Sequence, residues 1–278
     1  MVFQSYAIWP HMTVAENVAY PLEIRKMQQS EIDDRVSEVL KLVGLTDETD
    51  KLATNLSGGQ QQRASLARAI VSNPRLLLFD EPLSNLDLKL REQMRVELKR
   101  IQNEVGITAI YVTHDQAEAL VMSDEIIVMS KGKIEQRGGP LEIYSRPVNE
   151  YVSNFIGVAN LLKGKVIEVN EPGQGVFELA QGGKKVKMPC LLSPGISAGE
   201  DAVLSVRPEN VHAVREKDDS TSLEGEVTFA IFLGSHVDCR VQWGDFEWKV
   251  IAHPRTKLKA GEKVYLSFDP EHTLAVQP

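Results

Sequence analysis

The chain has 278 residues, of which 42% are hydrophobic and 25% are charged, a composition typical of a globular protein with room for two domains. Its 31 basic and 39 acidic side chains leave a formal net charge of −8, which argues against non-specific binding to nucleic acid or anionic lipid. The sequence has no apolar run near the roughly 18 residues that span a bilayer, and its first residues lack the pattern of a signal peptide. We therefore expect any membrane role to come through a partner.

The first part of the chain alternates helical and strand patterns. Signals for a helix start stand in chain order at Thr13, Ser30, Ser57 and Asp115, and a further helix is predicted over residues 86–105, ending at Gly106. Apolar runs predict strands over residues 76–79, 108–112 and 126–129. We expect the first two strands to be covered on both faces, because a continuous apolar run is typical of a buried strand. The alternation of strands and helices implies a mainly parallel α/β sheet.

Short β-like runs replace this pattern after about residue 157. They lie over residues 164–169, 202–206, 237–241 and 264–268, and turns rich in Gly, Pro, Asp and Asn separate them. Strands this short and this closely spaced suggest a small barrel or sandwich. We therefore predict two domains, an α/β domain over residues 1–157 and a β-rich domain over residues 158–278.

Two carboxylates follow the strand predicted over residues 76–79. Ligands of an open α/β sheet bind beyond the carboxyl ends of its strands, so Asp80 and Glu81 are expected at a binding edge. Asp80 is a candidate ligand for Mg²⁺, and Glu81 is a candidate to orient an attacking water. His114 follows the neighbouring strand, and its imidazole is able to donate to a phosphate oxygen. The alternatives are exposed acids at a strand end and a histidine without a function.

Ser57, Gly58, Gly59 and Gln60 form a second candidate site. Glycines allow a close approach of the backbone to an anion, and the unpaired N–H groups of a helix start point at it, with the positive end of the helix dipole behind them. The alternative is a plain capped helix, since Ser-Gly and Gly-Gly are common at loops. The spacing of this segment from Asp80 favours the anion site.

A P-loop is absent from the sequence. Its pattern, Gly-x-x-x-x-Gly-Lys-Ser/Thr, supplies the backbone N–H groups and the lysine that hold nucleotide phosphates. None of the Gly-Lys pairs of the chain has the required glycine before it and the hydroxyl residue after it. The chain therefore holds water-activating candidates without a phosphate cradle of its own.

In order and spacing, these motifs resemble those of the ATP-binding subunit of an ABC transporter, in the importer class whose ATPase carries a C-terminal TOBE domain. The matching segments are a Q-loop with Gln4, the signature over residues 56–63, Walker B over residues 76–80, the catalytic glutamate Glu81, a D-loop over residues 84–87 with Asp87, a switch histidine at His114 and a TOBE stretch over residues 205–210. In this family the P-loop and an adenine-stacking aromatic residue lie upstream of the Q-loop. We interpret the sequence as an N-terminally truncated or mis-started form that lacks both.

The resemblance implies a fold, cofactors and residue roles. The expected fold is a partial P-loop NTPase (ABC ATPase) domain of class α/β, with a mainly parallel sheet and a helical subdomain, followed by an all-β OB-like TOBE domain. The expected cofactors are ATP and Mg²⁺, with Gln4 and Asp80 at the metal and with Glu81 and His114 as catalytic residues. The residues expected to contact the nucleotide are Gln4, Ser57, Gly58, Gly59, Gln60 and Asp87.

The resemblance also implies partners and a location. ABC ATPases work as head-to-tail dimers, so we expect a homodimer or a paired ATPase subunit, in which the signature of one copy closes on ATP held by the other. Membrane permease subunits are expected to dock on the segment after Gln4, where Tyr6, Ile8, Trp9 and Met12 are candidate contacts. A solute-binding protein would be an indirect partner, and nucleic acid is not expected. The expected location is peripheral, at the cytoplasmic face of the inner membrane.

The function implied by the resemblance is ATP hydrolysis coupled to solute uptake. Residues 155–162 are more similar to polyamine, ferric-ion and phosphonate importers than to sugar importers. Two other classes remain open at this point. One is a soluble ABC ATPase with no transporter, and the other is a regulatory module whose β domain senses a ligand.

We expect the purified 278-residue chain to show no measurable ATP hydrolysis by itself. Positioning and electrostatic stabilisation supply most of the catalysis of phosphoryl transfer, and the sequence lacks the main phosphate clamp. A steady-state phosphate-release assay with Mg²⁺ and ATP measures this. Hydrolysis at an ordinary ATPase rate would show that this interpretation is wrong.

Overall fold

A computed structural model describes residues 1–170, 173–181, 184–217 and 222–278. The chain divides into two compact units, Met1–Ser123 and Asp124–Pro278. The domain boundary expected between residues 157 and 158 stays a prediction. Over the described ranges, each helix is too short or too polar to cross a membrane.

Helices make up most of the first unit. They are α1 (Val14–Ile24), α2 (Gln29–Leu42), α3 (Gly58–Ile70), α4 (Leu88–Val105) and α5 (Gln116–Met122), with short 3₁₀ helices at Thr46–Glu48 and Ala53–Asn55. The predicted starts at Thr13 and Ser57 are confirmed, because each side chain caps its helix in a reciprocal capping box. Gly106 ends α4 in the left-handed conformation with a φ of 68°, as the sequence predicts.

Two predicted helix starts are displaced by up to two residues. The helix expected to start at Ser30 begins instead at Gln29, because the carbonyl oxygen of Gln28 already accepts from the backbone N–H groups of Glu31 and Ile32. The helix predicted from residue 86 begins at Leu88, since the preceding Asp87 is extended and serves as its N-cap. A serine is therefore a weaker boundary signal than the backbone bonds of the first turn.

A parallel strand pair forms the sheet of the first unit. β1 (Leu76–Asp80) pairs with β2 (Thr108–Val112) in a register that sets Asp80 opposite Val112. At the other edge of β1, the backbone N–H of Val2 donates to Leu78 and its carbonyl accepts from Asp80, at 2.8 and 3.0 Å. The predicted parallel arrangement is confirmed for these two strands, whereas the third strand, predicted over residues 126–129, lies instead in a separate antiparallel hairpin. Residues shortly after Val2 leave at the edge where β1 ends.

The expectation that β1 and β2 are covered on both faces is wrong. Leu77 and Phe79 are each 3% exposed, whereas Leu78 on the opposite face of β1 is 37% exposed, and Ile110 and Val112 on β2 are 52% and 54% exposed. The covered face packs against apolar residues of α3 and α4, where Leu66, Ile70, Leu98 and Ile101 line a small apolar cavity with Leu77 and Phe79. An unbroken apolar run does not distinguish one covered face from two.

The second unit contains a hairpin, two short helices and a β-rich body. The hairpin strands β3 (Ile126–Ser130) and β4 (Lys133–Gly138) pair antiparallel and precede α6 (Pro140–Ser145) and α7 (Glu150–Phe155). The remaining strands are β5 (Asn160–Val169), β6 (Gln174–Gln181), β7 (Lys184–Leu192), β8 (Asp201–Val206), β9 (Val211–Val214), β10 (Leu223–Phe232), β11 (Val237–Trp243), β12 (Phe246–Ala252), β13 (Lys263–Phe268) and β14 (Thr273–Val276). Three 3₁₀ helices lie at Pro208–Asn210, Pro254–Thr256 and Pro270–His272.

These strands form a barrel and a sheet. The barrel is closed in the order β14-β7-β6-β5-β8, and the sheet has the order β12-β11-β10-β13-β9. All four strand runs predicted after residue 157 lie within β5, β8, β11 and β13, so the small β domain is confirmed. Its core includes the fully buried side chains of Phe177 and Trp248.

The predicted TOBE stretch contributes a buried cation to this second unit. Arg207 is 5% exposed, and its guanidinium donates to the backbone carbonyls of Tyr144, Ser153 and Val158. The same guanidinium lies 4.2 Å from the centre of the Tyr144 ring. Arg207 thus satisfies carbonyl groups at and after the ends of α6 and α7, an arrangement that stabilises the C-terminal unit.

We expect Leu77→Ala to lower the free energy of unfolding by about 2–5 kcal/mol, the usual cost of truncating a buried leucine. Leu78→Ala is the matched control on the same strand, and it should change stability by less than about 1 kcal/mol because Leu78 is partly exposed. Urea denaturation followed by circular dichroism measures both values. Equal losses for the two variants would contradict the observed face of burial.

Candidate functional site

The carboxyl edge of the parallel pair brings an acid and a histidine into contact. The backbone N–H of Glu81 donates to the carbonyl of Val112 at 2.9 Å, which extends the β1–β2 ladder one residue past the strand. Glu81 Oε1 lies 3.0 Å from His114 Nδ1. Glu81 has a φ of 44°, a conformation that is uncommon for a residue with a Cβ and that is concentrated at functional sites. Asp80 is exposed beside this pair.

The contact with Glu81 is the main influence on the pKa of His114. The hydrogen bond from the imidazole to the Glu81 carboxylate raises the pKa of His114 above its ordinary value, and the negative charge of Glu81 raises it further. Smaller contributions in the same direction come from Glu118 and Asp115. The contact shifts the equilibrium toward the protonated imidazole, in which Nε2 also carries a proton and is not engaged by Glu81.

The loop between β1 and α4 ties Gln4 to the same edge. Asn85 Nδ2 donates to the backbone carbonyl of Gln4 at 2.8 Å, and Ser84 Oγ donates to the carbonyl of Glu81 at 2.9 Å. Asp87 ends the loop as the N-cap of α4. Gln4, Glu81 and Asp87, predicted as site residues, thus belong to one connected segment of structure.

A buried carboxylate supports the loop that carries His114. Glu118 is 2% exposed, and its Oε2 accepts from Thr113 Oγ1 at 2.8 Å and from Tyr111 Oη at 3.1 Å. Burial and then the negative charge of Glu118 raise the pKa of Tyr111, so its hydroxyl keeps its proton. The side chain of Asp115 caps α5, but Glu118 makes no reciprocal contact with the backbone N–H of Asp115, which donates to Thr113 Oγ1 instead. The sequence pattern assigns Glu118 to a capping box, whereas in the structure Glu118 supports the loop through Thr113 and Tyr111.

The start of α3 is a capped helix with a polar first turn. Ser57 Oγ accepts from the backbone N–H of Gln60 at 3.4 Å, and the Gln60 side chain accepts from the N–H of Ser57 at 2.9 Å. Gln60 Nε2 also donates to Glu48 at 3.1 Å. Ser57 is exposed, so its hydroxyl is accessible to a ligand. Anion binding at this helix start stays a prediction.

The two glycines of this segment allow α3 to approach neighbouring side chains. A Cβ atom at Gly58 would lie 3.2 Å from Leu86, and one at Gly59 would lie 3.1 Å from Leu90. These distances are shorter than ordinary side-chain contacts. Packing therefore explains both glycines without a bound phosphate, and it sets the start of α3 beside the loop that follows Glu81.

The predicted site residues fall into two groups. Backbone and side-chain contacts join Gln4, Asp80, Glu81, Asp87 and His114 around the edge of the sheet. Within the described ranges, hydrogen bonds and ion pairs do not connect the second group, Ser57, Gly58, Gly59 and Gln60, to the acids or to His114. The part of the chain that the structure describes also holds no cluster of three or more His, Cys, Asp or Glu residues suited to a metal.

The chain thus combines an α/β unit, with an acid and a histidine at its strand ends, and a small β domain that follows in sequence. The ABC transporter family matches residues 1–84, and the TOBE domain family matches residues 204–276. The spermidine/putrescine import ATP-binding protein PotA of Clostridium novyi is 44% identical over 97% of this chain and 74% of its own length. The proteins of the same name from Thermobifida fusca and Clostridioides difficile are also 44% identical, and the matches cover 72% and 74% of their lengths.

The chain therefore belongs to the ABC transporter family, as an ATP-binding subunit of the importer class, whose members hydrolyse ATP. A solved structure titled as cbiO1 from Clostridium perfringens, part of the ABC transporter complex cbiONQ, aligns with 51% of this chain and 57% of its own length, at 32% identity and a TM-score of 0.48. The comparisons do not support a non-transport ATPase or a ligand-sensing module.

We expect Glu81→Gln to lower the pKa of His114 toward its ordinary value, because the variant removes the charge that stabilises the imidazolium. NMR titration of the chain labelled at its six histidines measures this, with His114→Gln used to assign the resonance. Glu97→Gln is the control, because it removes a carboxylate that pairs with Arg100 rather than with His114. An unchanged titration of His114 in the Glu81 variant would contradict the observed contact.

Proposed function

We propose that this chain couples ATP hydrolysis to the uptake of spermidine or putrescine through membrane permease subunits. The Glu81–His114 contact at the carboxyl edge of β1 and β2 carries the catalytic part of the proposal. The names of the relatives, each 44% identical, support the choice of solute. That solute is one of the three, polyamine, ferric ion and phosphonate, whose importers residues 155–162 resemble more than they resemble sugar importers.

Glu81 and His114 would both act on the reacting phosphate from the carboxyl edge of β1 and β2. The Glu81 carboxylate would orient and polarise the attacking water, and His114 would donate through Nε2 to a γ-phosphate oxygen. The contact between them raises the pKa of His114 and engages its Nδ1, which leaves Nε2 to face the substrate. The single contact between Glu81 and His114 thus orients both side chains.

Asp80 and Gln4 are the residues that would hold Mg²⁺. Asp80 ends β1 with an exposed carboxylate, and Gln4 is exposed on the segment bound to Asn85. Mg²⁺ in nucleotide sites takes one or two protein oxygens beside phosphate and water, so this donor set fits the ion. The ion would supply positive charge to the phosphates.

Ser57, Gly58, Gly59, Gln60 and Asp87 would serve a second ATP in a head-to-tail dimer. The helix start at Ser57 offers an exposed hydroxyl and the positive end of α3, which is 13 residues long, to a γ-phosphate. No hydrogen bond of the described ranges joins this segment to the acids, which agrees with a phosphate held by another copy. Asp87 lies on the loop that packs against Gly58 through Leu86.

The segment after Gln4 would receive the permease subunits. Of the four candidate contacts, Tyr6 is excluded, because it is 8% exposed and belongs to the core of the first unit. Ile8, Trp9 and Met12 are half-buried and remain candidates. A solute-binding protein would act through the permease. Such docking would hold the chain peripherally at the cytoplasmic face of the inner membrane, and its net charge of −8 argues against a nucleic-acid partner.

The proposal is tested with a chimera. In it, a P-loop segment from the Clostridium novyi relative precedes these 278 residues. In proteoliposomes with the membrane subunits of a spermidine/putrescine importer, Glu81→Gln should reduce ATP turnover and uptake of labelled spermidine by about 10²–10⁴-fold, while ATP binding persists. Glu97→Gln is the control for a surface carboxylate of α4. Unchanged turnover would refute the role of Glu81, and a chimera that hydrolyses ATP but drives no spermidine uptake with these membrane subunits would contradict the proposed solute.

A further inference from the structure

Arg91 touches two loops at once. It lies in the first turn of α4, and its Nη2 donates to the backbone carbonyls of Ser84 and Leu86 at 3.4 and 3.1 Å. Its Nη1 lies 3.6 Å from Asp115 Oδ2. One guanidinium therefore joins the loop after β1 to the loop after β2.

Each of these loops carries one member of the acid–histidine pair. The backbone N–H and the hydroxyl of Ser84 both donate to the carbonyl of Glu81, at 3.3 and 2.9 Å. Asp115 follows His114 directly and fixes the start of α5 by accepting two backbone N–H groups there. On one side, Arg91 contacts Asp115, the residue next to His114. On the other side, it contacts Ser84, which is itself hydrogen-bonded to Glu81.

The chemistry of this bridge requires arginine. The guanidinium is a rigid planar fork whose separate N–H groups reach separate acceptors, whereas the lysine ammonium is a single point charge. The Arg91 and Asp115 side chains are 27% and 24% exposed, so solvent only partly screens their attraction. Lysine at this position would keep the charge and lose the simultaneous contacts.

We propose that Arg91 is a positioning residue that holds Glu81 and His114 in contact by clamping their two loops together. The proposal rests on the functions proposed above for Glu81 and His114. The bridge contacts neither residue of the pair directly, so its effect would be transmitted through Ser84 and Asp115.

Arg95 provides a matched control on the same helix. Its Nη2 lies 3.6 Å from the same Asp115 Oδ2, and its side chain is 13% exposed. Within the described residues, the structure shows no hydrogen bond from Arg95 to the loop over residues 84–87. Arg95→Gln therefore removes an equivalent charge and an equivalent ion pair without removing the bridge.

The direction of a change in the His114 pKa separates positioning from simple electrostatics. Removing a nearby cation favours a protonated imidazole, so the charge effect alone raises the pKa or leaves it unchanged. Loss of the Glu81 contact lowers the pKa, because that contact is the main cause of its elevation. Asp115 and Glu118, the other charged groups acting on His114, remain in all variants.

The experiment is an NMR titration of His114 in the 278-residue chain, comparing the wild type, Arg91→Gln, Arg91→Lys, Arg95→Gln and Glu81→Gln. We expect both Arg91 variants to show most of the decrease in pKa seen for Glu81→Gln, and Arg95→Gln to show none. Thermal unfolding followed by circular dichroism checks that each variant folds, and Arg91→Lys, which keeps the charge, decides the result if Arg91→Gln unfolds.

Three results would overturn the proposal. They are an unchanged or raised His114 pKa in the folded Arg91 variants, an equal decrease in Arg95→Gln, and no decrease in Glu81→Gln itself. The titration requires neither nucleotide nor turnover. A failure of the transport assay would therefore leave this result standing, and the two proposals can fail separately.

Discussion

The register between β1 and β2 is the constraint on which the site depends. Asp80 lies opposite Val112, and the ladder continues because the N–H of Glu81 donates to the Val112 carbonyl. That extra hydrogen bond accompanies a left-handed backbone at Glu81, a conformation that costs about 1–3 kcal/mol for a residue with a side chain. Glycine would relieve this strain but would remove the carboxylate that contacts His114. The site thus keeps a chemically useful side chain at a position where the backbone alone favours glycine.

Polar contacts to backbone and side-chain groups hold the loops around this edge. Asn85 binds the carbonyl of Gln4, Ser84 binds that of Glu81, and the buried carboxylate of Glu118 binds the hydroxyl of Thr113. Such bonds fix loop geometry more strictly than apolar contacts, because a hydrogen bond needs a particular partner in a particular direction. A rigid scaffold of this kind is what a pair of catalytic groups requires, since small displacements cost large factors in rate.

Much of the fold could be predicted from local patterns, whereas long-range contacts could not. The caps at Thr13 and Ser57 and the glycine after α4 are local backbone chemistry, and each is confirmed. The burial of Tyr6 and the one-sided cover of the parallel pair depend on what packs against them from distant parts of the chain. Of the site, the strand ends and His114 could be predicted because parallel strands share an edge, but the bracing role of Glu118 has no local signature.

Acidic side chains dominate the charge of this edge. Asp80, Glu81 and Asp87 are acids. In the described ranges His114 is the one basic side chain in an ion-pair contact with them, while Arg91 contacts Asp115 and the carbonyls of Ser84 and Leu86. A triphosphate is a polyanion, so an edge with this balance repels it unless positive charge comes from elsewhere. Mg²⁺ and a lysine-bearing phosphate cradle would supply that charge on one side, and the helix start of a second copy would supply it on the other. Under the proposed function, this edge would activate water, and the added positive charge would let it retain the nucleotide.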